Sequence, residues 1–134
     1  MKKLAILFLG LAYALPLAAS AEAYKCTTTQ SGKGGWVPPE LILAYDTKAE
    51  VGSAYDPYIH HVHKTPIPVE WSRRSETSFV FRWTIKGVKS TNVGSGINSY
   101  KVVLFTDRNA FILSGRRHGY SNVINGSGTC QRIK

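Results

Sequence analysis

Three histidines within four residues, His60, His61 and His63, are the group in this 134-residue sequence whose types and spacing most suggest chemistry. On an extended backbone alternate side chains share a side, so His61 and His63 would point the same way. Two imidazoles on one side can bind zinc or copper when a third ligand comes from elsewhere in the chain. The candidates for that third ligand are His118, Asp56 and Glu70. The alternative is a polar loop without a cofactor, in which the histidines are solvated or cap backbone groups.

Adjacent arginines form the second group of candidates, because clustered cations are typical of surfaces that bind anions. Arg73 is followed by Arg74, and Arg116 is followed by Arg117. Trp36 lies between glycines and prolines, where it either closes one end of the fold or offers a flat aromatic surface to a ligand. We take these five residues as the candidate binding residues. The alternative is that the positive charge only keeps the protein in solution.

No set of residues has the spacing of a known catalytic motif. The sequence has eight acidic residues, and no two of them form an evident general acid and base pair. Ser95 and Ser127 each stand between two glycines, but neither has the Gly-x-Ser-x-Gly spacing of a nucleophile elbow. The sequence therefore favours a non-catalytic protein. A small hydrolase or inhibitor without a recognisable motif is the alternative.

The N-terminal segment has the organisation of a secretory signal peptide. A short basic start is followed by an apolar run over residues 4–19 and by small residues that fit a signal peptidase site. The run is too short to cross a membrane comfortably, so we expect a cleaved signal over residues 1–21 and no membrane-spanning segment. Residues 22–134 then form a single domain, which we expect to be a periplasmic or secreted monomer.

Export also changes the meaning of the net charge. The charge of +9 falls to +7 when Lys2 and Lys3 leave with the signal. Outside the cytoplasm the usual anionic partners are lipid headgroups, glycans and acidic proteins, and we expect no nucleic acid. The sequence therefore predicts a binding domain for an anionic envelope component or an acidic protein.

The two cysteines, Cys26 and Cys130, lie close to the two ends of the mature chain. Two cysteines in an oxidising compartment most simply form a disulfide. Here that disulfide would close almost the whole chain into one loop. The alternative is a pair of reactive or metal-binding thiols. Neither cysteine belongs to a Cys-x-x-Cys pair or stands beside a histidine, so the disulfide is preferred.

Alternating apolar residues predict strands throughout the domain. Phe79, Phe81, Trp83 and Ile85 alternate with largely polar residues, which is the pattern of a half-buried strand. Residues 100–106 and 110–114 are predicted to form a hairpin around the turn residues 107–109. Further strands are predicted at residues 24–30, 41–45, 49–53, 69–72, 119–124 and 129–133, with a turn at 125–128.

These elements predict an all-β fold without a helix. We expect a small antiparallel barrel or sandwich of seven to eight short strands, with its ends tied by the one disulfide. Two segments rich in proline or glycine, residues 55–68 and 87–98, are interpreted as long loops. Because long loops in compact domains are often functional, we expect them to contribute to the binding surface.

Four short pieces of the chain resemble a group of small exported proteins of Gram-negative bacteria that has no established activity. They are Tyr24-Lys25-Cys26, residues 34–40, residues 119–122 and residues 126–130. The size and the early Tyr-x-Cys are also similar to the periplasmic inhibitors of C-type lysozyme, and that resemblance implies a small β-barrel. An inhibitor of a basic lysozyme gains from negative charge, whereas this chain is basic. The second resemblance is therefore used for architecture only.

Overall fold

The computed structural model describes residues 21–49, 51–90 and 94–133. Within them, eight antiparallel strands form a closed barrel and one short helix packs against it. The strands are β1 (Ala21–Ser31), β2 (Glu40–Asp46), β3 (Val51–Tyr55), β4 (Ile67–Arg73), β5 (Ser78–Ser90), β6 (Gly94–Phe105), β7 (Ala110–Arg117) and β8 (Val123–Arg132). The helix is α1 (Pro57–His63), between β3 and β4. The predicted signal peptide falls almost wholly on residues 1–20, outside the described residues, and stays a prediction.

The barrel is an up-and-down meander in which each strand pairs with the next one along the chain. The last strand, β8, pairs with the first, β1, so that none of the described strands presents an open sheet edge. The predicted all-β class is therefore confirmed, and of the two expected architectures the fold is a barrel, not a sandwich.

One side of every strand faces the interior, because side chains alternate along a strand. The predicted inward residues Phe79, Phe81 and Trp83 are buried, with exposed fractions of 3%, 0% and 6%. The interior is filled by aromatic and aliphatic side chains from the other strands, including Leu41, Leu43, Val102, Leu104, Phe111, Leu113 and Ile124. The interior is thus a packed core that fixes which side chains point outward.

A disulfide closes the barrel at its seam. Cys26 of β1 lies directly opposite Cys130 of β8, and their sulfur atoms are 2.06 Å apart. The predicted disulfide is confirmed. A Cβ atom at Gly128 would collide with the carbonyl oxygen of Thr27, so β8 approaches β1 this closely because residue 128 is glycine.

The segment over residues 55–68 contains a helix, and its interpretation as a long loop was wrong. Asp56 caps α1 by accepting a hydrogen bond from the amide of Ile59 at 2.8 Å, and Pro57 occupies the first turn. The helix ends at Lys64, which adopts a left-handed conformation. Ile59 is fully buried and anchors the helix to the core. A helix of this length is too short to show a helical period in the sequence.

Two other assignments were wrong because their glycines wrongly indicated a turn or loop, and the strand predicted at residues 119–124 was wrong as well, since β8 begins only at Val123. In the segment 87–98, β5 continues to Ser90 and β6 begins at Gly94, with an irregularity in the register at Gly87. The predicted turn at residues 125–128 lies within β8. There Gly126 lies against the side chain of Val37, so its small size serves packing rather than a turn.

We predict that the double variant Cys26→Ala, Cys130→Ala keeps the barrel topology but loses much stability. On the chain-entropy model, a cross-link that closes a loop of 104 residues stabilises a protein by about 4–5 kcal/mol. Urea denaturation of the oxidised wild type and the variant gives this difference. The reduced wild type is the matched control and should resemble the variant. A loss below about 1 kcal/mol would show that strand pairing alone closes the barrel.

Candidate functional site

Six outward side chains on the neighbouring strands β5, β6 and β7 form a compact patch of hydrogen-bond donors. The register places Arg82 opposite Lys101, and Lys101 opposite Ser114. In the adjacent row, Thr84 lies opposite Ser99, which lies opposite Arg116. We call this set the donor patch: Arg82, Thr84, Ser99, Lys101, Ser114 and Arg116.

The donor patch places like charges side by side. Arg82 and Lys101 are directly opposite each other, at a Cβ separation of about 5 Å in such pairs, and like charges at this distance destabilise a sheet. Arg116 adds a third cation on the next strand. Glu70 of β4 lies opposite Arg82 on its other side, although among the described residues none of these three cations forms an ion pair with an acidic side chain. An anion bound between them would remove the repulsion.

The patch lies within an open groove of about 1410 Å³ on the outside of the barrel. The groove extends across β4, where Arg73 lines it with its guanidinium 5.4 Å from the ring centre of Phe79, to the β2–β3 connection, where Lys48 lines it. Five of its lining side chains are basic, whereas Glu70 is the acidic one among the described residues that line it. This arrangement produces a positive potential that attracts anions.

Two of the three hydroxyl groups of the patch, those of Thr84 and Ser99, are held in place by a chain of hydrogen bonds. The Oγ atom of Ser99 lies 2.7 Å from Nε2 of His118 and 3.0 Å from Oγ1 of Thr84. A serine bonded to a histidine is also the beginning of a nucleophilic site. Within the described part of the chain, however, no hydrogen bond from a third group orients the imidazole through Nδ1, as a triad requires. The chain of bonds is therefore better suited to presenting donors to a bound ligand.

The structure separates the predicted binding residues. Arg73 and Arg116 both line the groove, whereas Arg74 lies in the turn that follows β4. Arg117 points into the barrel and is 2% exposed, because adjacent residues of a strand face opposite sides. Half-buried Trp36 packs over its guanidinium, with the carbon Cζ 4.0 Å from the ring centre. These two residues are thus brought together at one end of the barrel, away from the groove.

The predicted histidine arrangement rested on an extended backbone, which was wrong. His61 and His63 are on α1, where a step of two residues turns the side chain by roughly 200°. His60 forms a hydrogen bond between its Nδ1 atom and the hydroxyl of Tyr55, and His118 is bonded to Ser99. Among the described residues, no group of three His, Cys, Asp or Glu side chains lies close enough together to hold a metal ion.

Sequence reasoning missed Lys101 and the three hydroxyl residues of the donor patch. The outward position of Arg82 follows from the alternation of its strand, but its neighbours depend on the register of β5 with β6. The loop predicted at residues 87–98 hides that register, because β5 and β6 extend through most of this segment. A prediction of one long hairpin in this region would have revealed the patch.

Comparison with known proteins leaves the geometry as the basis for assigning a function. No family model, no curated protein and no solved structure matches the chain. The described residues include no helix that is both long and apolar enough to cross a membrane.

Asp56, the residue that caps the N-terminus of α1, has a carboxyl group with a raised pKa. Asp56 is 3% exposed, and burial raises the pKa of its carboxyl group to about 6, although the hydrogen bond from the Ile59 amide opposes the rise. A carboxyl group with a higher pKa in the folded state binds its proton more tightly there. Its contribution to stability is therefore fully present below the ordinary pKa of 3.8 and is lost as the pH rises from there to about 6.

We predict that the substitution Asp56→Asn flattens the dependence of stability on pH. Between pH 3 and pH 7, Asp56 should lower the free energy of unfolding of the wild type by about 3 kcal/mol, the equivalent of roughly two pKa units. Asparagine caps a helix about as well as aspartate, so the variant keeps α1 while losing the titration. Urea denaturation across this pH range measures both profiles. Parallel profiles would contradict the prediction.

Proposed function

We propose that this protein is an exported, non-catalytic binding protein whose ligand is an anionic component of the cell envelope, bound in the groove. The observation that carries the proposal is the donor patch. Its six side chains, which lie on three adjacent strands, can all donate hydrogen bonds to a ligand, and three of them are cationic. The disulfide fits an oxidising compartment, as does the signal peptide that the sequence predicts.

The patch is suited to a group with several negatively charged oxygens. Opposite positions on neighbouring strands are about 5 Å apart, so the patch spans roughly 10 Å across three strands. That size fits one phosphate or sulfate group, whose oxygens can accept hydrogen bonds from arginine, lysine and hydroxyl donors together. The two further cations of the groove, Arg73 and Lys48, would contact a second anionic group. A ligand that bears repeated anionic groups therefore fits better than a single small ion.

We predict that the triple variant Arg82→Gln, Lys101→Gln, Arg116→Gln binds such ligands at least tenfold more weakly than the wild type. The probes are heparin, vesicles that contain phosphatidylglycerol, and polyglutamate, so that glycan, lipid and acidic-protein sources are distinguished. Binding of the wild type should weaken steeply with salt because exposed charges are screened. The salt dependence should be smaller in the variant. Isothermal titration calorimetry or vesicle sedimentation measures the affinities.

The matched control is the triple variant Lys33→Gln, Lys89→Gln, Arg108→Gln. It removes the same charge from exposed positions that do not line the groove. If both variants lose affinity equally, net charge rather than the donor patch governs binding, and the proposal is wrong. The same holds if the wild type binds none of the three probes at low salt. Preference for polyglutamate over the other two probes would replace the envelope component with an acidic protein.

A further inference from the structure

Arg117 is a buried cation at the end of the barrel that α1 covers. Its guanidinium donates hydrogen bonds to Oδ1 of Asn98 at 3.0 Å, and to the carbonyl oxygens of Val88 at 3.0 Å and Gly94 at 3.3 Å. Asn98 in turn donates to the hydroxyl of Tyr100, which donates to the carbonyl oxygen of Trp36. The indole ring of Trp36 lies over the guanidinium. The chain of contacts therefore begins and ends on Arg117.

Among the residues that the structure describes, this arginine has no negatively charged partner. Within the described residues it forms no ion pair, and its Nε atom is buried without a hydrogen-bond partner. Removing a cation from water costs several kcal/mol unless an anion or a full set of acceptors compensates. A Cβ atom at Gly96 would collide with the guanidinium, so the absence of a side chain at residue 96 makes the space that Arg117 occupies. The fold thus makes room for a charge whose bonding is incomplete.

A second unpartnered donor lies in the same region. The Nε1 atom of Trp83 is buried without a hydrogen-bond partner among the described residues. Its ring is 5.6 Å from that of Tyr100, which links Asn98 to Trp36. Buried polar atoms are nearly always paired in native proteins, and the unpartnered ones among the described residues are Nε of Arg117, Nε1 of Trp83, Nε1 of Trp71 and Oδ2 of Asp56.

The segment that covers Arg117 is itself strained. Residues 32–39, which we call the strap, connect β1 to β2 and carry Trp36. Trp36 has a φ of 65°, in the left-handed region that bulky residues rarely adopt, and Gly35 before it has a φ of 74°. The interaction of the ring with Arg117 and the hydrogen bond from Tyr100 hold the strap in this conformation. A ligand that replaced the cation–π contact would release the strain.

We propose that Arg117 is the binding site for a small carboxylate, and that Trp36 is a lid whose ring the carboxylate displaces. A carboxylate oxygen can accept a charge-assisted hydrogen bond from Nε, the one guanidinium nitrogen of Arg117 that has no acceptor among the described residues. The cation–π contact that it replaces is weaker, and the strap regains a relaxed backbone. This site is separate from the groove, because Arg117 faces the interior while Arg116 faces outward.

The experiment follows the Nε–H resonance of Arg117 by NMR in the full mature domain while sodium acetate or sodium benzoate replaces sodium chloride at constant ionic strength. The Arg117→Lys variant assigns the resonance. We expect a saturable shift of this resonance together with a change in Trp36 fluorescence, which the Trp36→Phe variant identifies. The Nε–H resonance of Arg108, which stacks on the exposed side of Phe105, is the internal control and should not shift.

The lid is tested with Trp36→Ala, in which no ring competes for the guanidinium. Acetate should bind this variant at least tenfold more tightly than the wild type, because no binding energy is then needed to displace the indole ring from the guanidinium. If Trp36→Ala does not fold, Trp36→Phe, with a smaller ring, should show a smaller increase in the same direction. The absence of a saturable shift in the wild type and in the lid variants would overturn the proposal and leave Arg117 a purely structural residue. Unchanged affinity in the folded lid variants would overturn the role of Trp36.

Discussion

The pairing of β8 with β1 is the constraint on which the rest of the structure depends. An open sheet of this length would leave two edges with unpaired backbone groups. The disulfide between Cys26 and Cys130 joins those edges covalently, and Gly128 allows the backbones to approach. Once the sheet is closed, each strand has one interior side and one exterior side. The role of a side chain is then decided largely by whether its position in the strand is odd or even.

Arg116 and Arg117 show how far this rule reaches. They are adjacent in β7, yet Arg116 lines the exterior groove and Arg117 is buried in the barrel. An exposed cation interacts weakly and is screened by salt, so a groove needs several of them to bind a ligand. A buried cation interacts strongly but requires nearly complete bonding. One strand thus contributes to two sites whose physical requirements are opposite.

The sequence predicts those features that depend on local pattern. The alternation of Phe79, Phe81 and Trp83 identifies a strand and its inward side, and the count and position of the cysteines identify the seam. Features that depend on distant contacts are not predictable in this way. Gly126 is glycine because Val37 packs against it from another part of the chain, so its local sequence wrongly indicates a turn. The helix α1 is anchored by the burial of Ile59. Its seven residues are too few to show a helical pattern of apolar residues in the sequence.

The same distinction applies to the candidate site. Arginine pairs are visible in the sequence, but a pair on a strand is necessarily divided between two sides of the sheet. The residues that do meet, such as Arg82 and Lys101, are 19 positions apart and come together only through the register of β5 and β6. Register places them opposite each other despite their like charge, and the adjacent hydroxyls of Thr84 and Ser99 are linked by a hydrogen bond. The row across the strands runs from Glu70 through Arg82 to Lys101, so the like-charged neighbours Arg82 and Lys101 are the part of this face that a bound anion would complete.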